Sequence, residues 1–432
     1  MKRKIETALL TWSTSPVRKP LVLNGARQVG KTHSVLKFAE NEYREFVHID
    51  FSAQKDIAAL FATDITPDAL IPQLQAKLKT RLDPAETLLF FDEIQACPRA
   101  LTSLKYFYER APQYHIVAAG SLLGVALGRE EYSYPVGKVV TASLYPMDFE
   151  EYLWAKGEEA LSLLIREAFQ ENRALGLHDY ALGLVRDYWF CGGMPEVVKA
   201  TSSQDLPGSE VRRLQNSIVE GFLADMTKYA SPIDTAKLLN VWHGVPEQLA
   251  KENHKFQYTT IASSARAYQY EAPINWLKAA GLVSLCNRVT DAVSPLRAFK
   301  EQDFFKLYLL DTGILTSLYG AEPEDLEPSM DKASRIRGGI AKNYVMQQLI
   351  AKGIEPFYWG TASKSEVEFV FRSQDGNNIP LEVKSGRNVT AKSLASYRHA
   401  YNPEYVIRCS TKNFGFENSI RSVPLYAAFC IE

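Results

Sequence analysis

Short apolar runs separated by amphipathic stretches dominate the first third of the chain. Pro20-Leu21-Val22-Leu23-Asn24 and Thr87-Leu88-Leu89-Phe90-Phe91 are nearly continuous in apolar side chains, the pattern of strands buried on both faces of a parallel sheet. Phe46-Val47-His48-Ile49-Asp50-Phe51 alternates in strand fashion, and Tyr114 to Gly120 and Lys138 to Leu144 predict two more strands. A helix begins at His33 and runs towards Glu40. Strands alternating with helices predict a doubly wound α/β domain over residues 1–155.

The pattern then changes. Residues 156–230 read as a helical region, with Leu161 to Asp187 helical, a polar loop from Thr201 to Ser209, and a helix from Val211 to Tyr229. Residues 231–325 read as winged-helix-like. Helical patterns cover Ile233 to Glu252 and Ala262 to Ala280, Gly281 is the stop, and 282–286 and 306–310 are the two strands of a wing. Residues 326–432 give an α-β-β-β-α-β order. It comprises a helix from Arg337 to Lys352, a strand at Pro356 to Trp359, and a hairpin of 366–371 with 379–384 around Asp375-Gly376-Asn377-Asn378. A helix from Ala391 to Tyr401 and a strand from Tyr405 to Arg408 complete it.

Bulk composition narrows the class. The chain has 432 residues, 46 % hydrophobic and 23 % charged, enough apolar material for packed cores and unlike disorder. A net charge of -1 excludes a global field for nucleic acid or anionic lipid, so any such contact must be a local patch. Five scattered cysteines without a CxxC pair argue against a disulfide framework or zinc site and for a reducing compartment. The basic start Lys2-Arg3-Lys4 has no apolar segment behind it, and no uncharged run is long enough to span a bilayer. The expectation is a cytoplasmic protein without a membrane partner.

The candidate chemistry begins with Gly25-Ala26-Arg27-Gln28-Val29-Gly30-Lys31-Thr32, which fits G-x-x-x-x-G-K-[ST] between a predicted strand and a predicted helix. A glycine-rich turn there aims successive backbone N–H groups, and the positive end of the helix, at a polyphosphate. Lys31 reaches the terminal phosphates of ATP, and the Thr32 hydroxyl can bind Mg²⁺. The acidic strand ends in Asp92 and Glu93. Asp92 can hold Mg²⁺ beside Thr32, and Glu93 is placed to polarise the water that attacks the γ-phosphate. Ser121, after the strand ending at Gly120, is either a γ-phosphate contact or the N-cap of a helix from Leu122 to Leu127.

Lys19 to Thr32 closely resembles the opening of a large prokaryotic family of AAA-type ATPases. Leu144-Tyr145-Pro146-Met147-Asp148-Phe149-Glu150-Glu151-Tyr152, Gly192-Gly193-Met194-Pro195-Glu196 and Phe305-Lys306-Leu307-Tyr308-Leu309-Leu310-Asp311 are similar to further signatures of it. The resemblance spans the chain and implies an AAA-like ATPase followed by a C-terminal region of undefined role. Similar proteins carry a Gly-Arg pair before the Leu-Tyr-Pro segment, where this chain has Gly137-Lys138. If that arginine is a finger on a neighbouring subunit's ATP, Lys138 keeps the charge and loses the bidentate fork. Arg129 is the alternative finger, and a solvated lysine at a strand start is the plain alternative for Lys138.

In the last region Glu368, Glu382 and Lys384 resemble the acid, acid-x-lysine core of the PD-(D/E)XK nuclease superfamily. Two such carboxylates can hold Mg²⁺ while the lysine orients water. Similar proteins place a glutamate where Gly338-Gly339-Ile340-Ala341 is followed here by Lys342. A cation there would repel Mg²⁺ or pair with Glu368 or Glu382, so a nuclease fold kept for binding or regulation is expected. Arg266, Tyr268, Tyr270, Lys278 and Arg297 would supply the contacts of a winged helix to double-stranded DNA. The resulting expectation is Mg²⁺-dependent ATP binding and hydrolysis coupled to double-stranded DNA or a protein partner, with a homo-oligomer open. The alternatives are a nucleotide-gated regulatory protein with little turnover and an ATP-regulated nuclease.

Overall fold

The computed structural model describes residues 1–84, 86–126, 134–251, 255–261, 266–327, 334–360, 365–385 and 392–432. These form two compact units. One holds residues 2–145 together with Ala279–Gly281, and the other holds Met1, 146–278 and 282–432.

The first unit is built on a parallel sheet of β1 (Leu21–Asn24), β2 (Glu45–Asp50), β3 (Thr87–Asp92), β4 (His115–Gly120) and β5 (Val140–Ser143). Their order is β2-β3-β4-β1-β5. The most continuous apolar runs became the central strands because they alone have neighbours on both edges and cover on both faces. β3 is buried along its whole length, whereas Glu45 and Phe46 on the β2 edge and Val140 on the β5 edge are exposed. One core joins Val22, Ile49, Leu89, Phe91 and Ile116 of the sheet to Leu101, Leu104 and Phe107 of the helix Pro98–Arg110. Phe91 meets Phe51, Phe61 and Phe107 edge-on, the arrangement that ring quadrupoles favour. Since every strand is parallel, the carboxyl ends of β1, β3 and β4 open on the same edge.

The second unit contains an eight-stranded mixed sheet. Its strands are β6 (Val283–Val289), β7 (Lys300–Leu309), β8 (Phe357–Gly360), β9 (Glu366–Arg372), β10 (Asn378–Val383), β11 (Val406–Ser410), β12 (Gly415–Glu417) and β13 (Ile420–Pro424). The order is β12-β13-β11-β10-β9-β8-β6-β7. The strands expected as a wing do pair antiparallel as β6 and β7. However, β6 also pairs in parallel with β8 through Arg288 and Val289, so the hairpin extends the C-terminal sheet instead of projecting alone. Burial explains this. Val289, Ala292 and Leu296 share a core with Phe357, Trp359 and Tyr397, surface that a free wing would leave in water.

Other expectations shift in detail. The stretch read as one helix from Leu161 to Asp187 is two, Glu159–Glu171 and His178–Cys191, separated where Asn172 adopts φ 55°, a left-handed conformation that asparagine tolerates. The helix Pro195–Ser203 runs into the expected loop at Thr201, and the next helix begins at Gly208. Tyr270, expected to face a phosphate backbone, is buried against Tyr258, and Arg297 pairs with Glu355. Arg129, Leu127, the stretch 262–265 and Ala391 lie outside the described residues. Among the described residues no helix is long and apolar enough to cross a membrane.

Candidate functional site: the phosphate loop and its acidic partners

β1 ends at Asn24, and the next residue must pass close under the chain that follows β5. A Cβ on Gly25 would lie 2.2 Å from the Leu144 carbonyl oxygen, and its φ is 154°, so only glycine fits. The loop turns again through Gln28 and Gly30, at φ 66° and 94°, before the helix Lys31–Glu42 starts. That sequence of turns gathers backbone N–H groups at the helix N-terminus, the arrangement that holds anionic oxygens.

Lys31 folds back over this loop. Its Nζ donates to the carbonyls of Gly25 at 2.9 Å and Ala26 at 2.8 Å. Burial pushes its ammonium down to about 8, although the Glu93 and Asp92 carboxylates act the other way. Arg3, buried, clamps the loop from beneath, donating to Val29 O at 3.0 Å and Tyr145 O at 2.8 Å. Sequence reasoning missed Arg3, because its basic neighbourhood was weighed only as a targeting signal. The ion pair of Glu6 with Lys37, 2.8 Å, ties the helix Ile5–Ser13 to the helix that follows the loop.

Two strands away, Asp92 and Glu93 are brought to the same edge. The Thr32 hydroxyl donates to Asp92 Oδ2 at 2.8 Å, and His48 Nε2 lies 3.2 Å from the same oxygen. His48 is fixed by stacking on Phe90, with ring centroids 4.9 Å apart. A hydroxyl and a carboxylate in contact form an oxygen donor set suited to a hard cation such as Mg²⁺. Glu93 takes a left-handed conformation, φ 47°, which turns its side chain off the strand direction. Its Oε2 accepts from Gln95 Nε2 and, at 3.3 Å, from the Ser121 hydroxyl. The fold therefore gathers Lys31, Thr32, Asp92, Glu93 and Ser121, and it adds His48 and Gln95, which no spacing rule indicated.

Lys138 goes elsewhere. Its Nζ pairs with Glu109 at 2.9 Å and sits 5.5 Å from the Tyr108 ring centroid.

A family model described as an AAA domain matches residues 17–153, the segment that holds all of these groups except Arg3 and the partner Glu6. This segment is therefore similar to AAA domains and carries the phosphate loop of P-loop ATPases. Two further models, each described as a domain of unknown function (DUF8612 and DUF4143), match residues 182–325 and 337–428. No curated protein matches the chain. Among solved structures, it is similar to the Walker-type ATPase paby2304 of Pyrococcus abyssi, with 17 % identity, 74 % of this chain and 95 % of that one covered, and a TM-score of 0.44. It is similar to the Aeropyrum pernix ORC1 protein in complex with DNA at 13 % identity, covering 74 % and 91 %, with a TM-score of 0.28. The AMPPCP-bound DnaA of Aquifex aeolicus follows at 11 % identity, 63 % and 85 % covered, and a TM-score of 0.28. All three are remote likenesses.

Outside the AAA domain, the acids proposed as a nuclease-like site are engaged by lysines. Glu368 Oε1 receives Lys342 Nζ at 2.8 Å and Lys306 Nζ at 3.3 Å. Lys306 is fully buried, also bonds Glu366 at 2.5 Å, and lies 4.6 Å from the Tyr358 ring centroid. Burial alone would lower its pKa, but the Glu368 and Glu366 charges more than offset this and hold the ammonium above its ordinary value. Lys384 Nζ pairs with Glu382 Oε1 at 2.8 Å. Three glutamates (366, 368, 382) thus face three lysines (306, 342, 384), a formal sum of zero. The buried position of Lys306 between two carboxylates has no local signal in the sequence.

Proposed function

We propose that this chain binds ATP with Mg²⁺ and hydrolyses it, and that the nucleotide state governs its hold on double-stranded DNA or a protein partner. The observation that carries the reading is Glu93, held by Gln95 and Ser121 beside the Thr32–Asp92 contact at the open edge of the sheet. A nucleotide-binding protein without turnover needs the loop and Asp92, whereas the second carboxylate serves only to activate water.

In this reading the backbone N–H groups from Gly25 to Thr32 donate to the phosphate oxygens, and Lys31 exchanges its two loop carbonyls for phosphate oxygens. Thr32 and Asp92 would hold Mg²⁺, with His48 orienting the Asp92 carboxylate. When bound, Mg²⁺ neutralises phosphate charge and polarises the γ-phosphoryl group. Glu93 takes the proton of the attacking water, and Ser121, which shares Oε2 with Gln95, positions that carboxylate and the water. Residues 156–432 are the part that engages the partner. The balanced charge around Glu368 and Glu382 supports a binding or regulatory role for the C-terminal region over Mg²⁺-dependent cutting.

The test is steady-state ATP hydrolysis with Mg²⁺ for wild type and Glu93→Gln, with and without double-stranded DNA. Turnover lost in Glu93→Gln supports the mechanism, and full activity in that variant removes Glu93 from it. Stimulation by DNA in the wild type supports a DNA-handling ATPase; indifference to DNA favours the protein partner.

A further inference from the structure

The AAA unit includes three residues that arrive from far along the chain, Ala279–Gly281. They touch the nucleotide site at two points. A Cβ built on Gly281 would sit 3.3 Å from the Ala26 backbone N and 3.6 Å from the Ala26 Cβ, so the glycine lies directly on the first turn of the phosphate loop. Gly281 has φ 74°, a conformation that lets the chain reverse at this spot without a side chain. On the other side, a Cβ on Gly124 would fall 2.5 Å from the Ala279 carbonyl oxygen. Gly124 belongs to the short helix Leu123–Ala126, which starts two residues after Ser121. The turn is therefore wedged between the phosphate loop and the segment carrying the Ser121 contact to Glu93.

We propose that Ala279–Gly281 is a nucleotide sensor, reading the phosphate loop at Ala26 and the post-Ser121 helix at Gly124. The inference rests on the nucleotide-binding reading above. Lys31 now bonds the Ala26 carbonyl, and phosphate oxygens would draw it away. Lys31 also bonds the Gly25 carbonyl, and the N–H end of that same Gly25–Ala26 peptide, with the Ala26 Cβ, is what packs on Gly281. Close backbone contacts of this kind transmit displacement because a packed interior deforms little. Ala279 ends the helix Ala267–Ala279, and β6 begins two residues after Gly281, so a shift of the turn is passed covalently into both.

Hydrogen exchange on the full chain tests this, with and without saturating Mg·ATPγS. Amides in peptides covering 277–285 should exchange roughly fivefold or more differently when nucleotide is bound, the lower end of usual coupling between sites. Lys31→Ala should abolish that response. In Gly124→Ala the response should vanish while peptides covering 25–32 remain protected. Protection of 25–32 with no change at 277–285 in the wild type would overturn the sensor and leave nucleotide binding intact. Absence of any change at 25–32 would overturn both. A response at 277–285 that persists in Gly124→Ala would overturn the role given to Gly124.

Discussion

Asp311 accepts the backbone N–H of Gly193 at 2.6 Å, a bond across 118 residues of sequence. It also accepts from Ile314 N at 3.0 Å and caps the helix Thr312–Tyr319. The side chain is fully buried, and burial pushes its pKa up to about 6 from an ordinary 3.8, against the backbone N–H groups that favour the charge. Relative to the unfolded chain, the fold therefore favours the protonated form. Stability from this group is complete below about pH 4 and declines as pH rises through 6, by at most roughly 3 kcal/mol for a two-unit shift. Asp311→Asn should remove this decline, while costing stability at every pH because its Nδ2 would face an N–H donor. Denaturation of both proteins between pH 4 and 7 measures it; parallel curves would show that Asp311 does not titrate in the fold.

Lys31 donates to two carbonyls of its own loop, so under the ATP-binding proposal a phosphate would replace those bonds with charge-assisted ones. Such bonds are worth about 1.5–3 kcal/mol each. Lys31→Ala should weaken nucleotide binding at least about tenfold by calorimetry, with circular dichroism confirming that the variant is folded. Unchanged affinity would overturn the phosphate-loop assignment.

Glu93 has its own partners, Gln95 and Ser121, independent of the Thr32–Asp92 contact. Glu93→Gln should therefore leave ATP affinity near that of wild type and slow turnover about a hundredfold or more, the usual loss with a general base. A fall in affinity equal to the fall in turnover would instead assign Glu93 to ground-state binding.

Lys306 is wholly buried and neutralises Glu366 and Glu368 from β7. Lys306→Met should destabilise the chain by about 3–5 kcal/mol, because two carboxylates lose a buried counter-charge. A cost near zero, read from urea midpoints, would mean that Lys342 alone suffices to balance Glu368.

The core of the site was legible where function depends on local chain geometry. The phosphate loop is set by residues within eight positions, and the apolar run before Asp92 required a central strand whose end carries the acids. Gln95 also lay in plain sight, two residues beyond Glu93, but nothing in a loop sequence says which way an amide points. His48 sits on a strand whose alternation was read correctly, yet its neighbour Asp92 comes from a different strand and depends on the β2–β3 register. Strands β8 to β11 were equally readable, whereas β12 and β13 were not expected from the sequence. Nor was the partner of β8, since β6 reaches β8 by pairing that no periodicity encodes.

The sequence by itself determined a phosphate-type loop between strand and helix, the five strands of its sheet, and the place of Lys31, Thr32, Asp92 and Glu93 at loop and strand ends, because backbone turns and strand burial act over a few residues. Only the tertiary structure decided that Arg3 braces Val29, that Lys306 and Lys342 occupy Glu368, that Asp311 holds Gly193, and that Gly281 rests on Ala26. Each of these joins residues far apart in the chain, where burial selects the partner of a charge or a bare backbone surface.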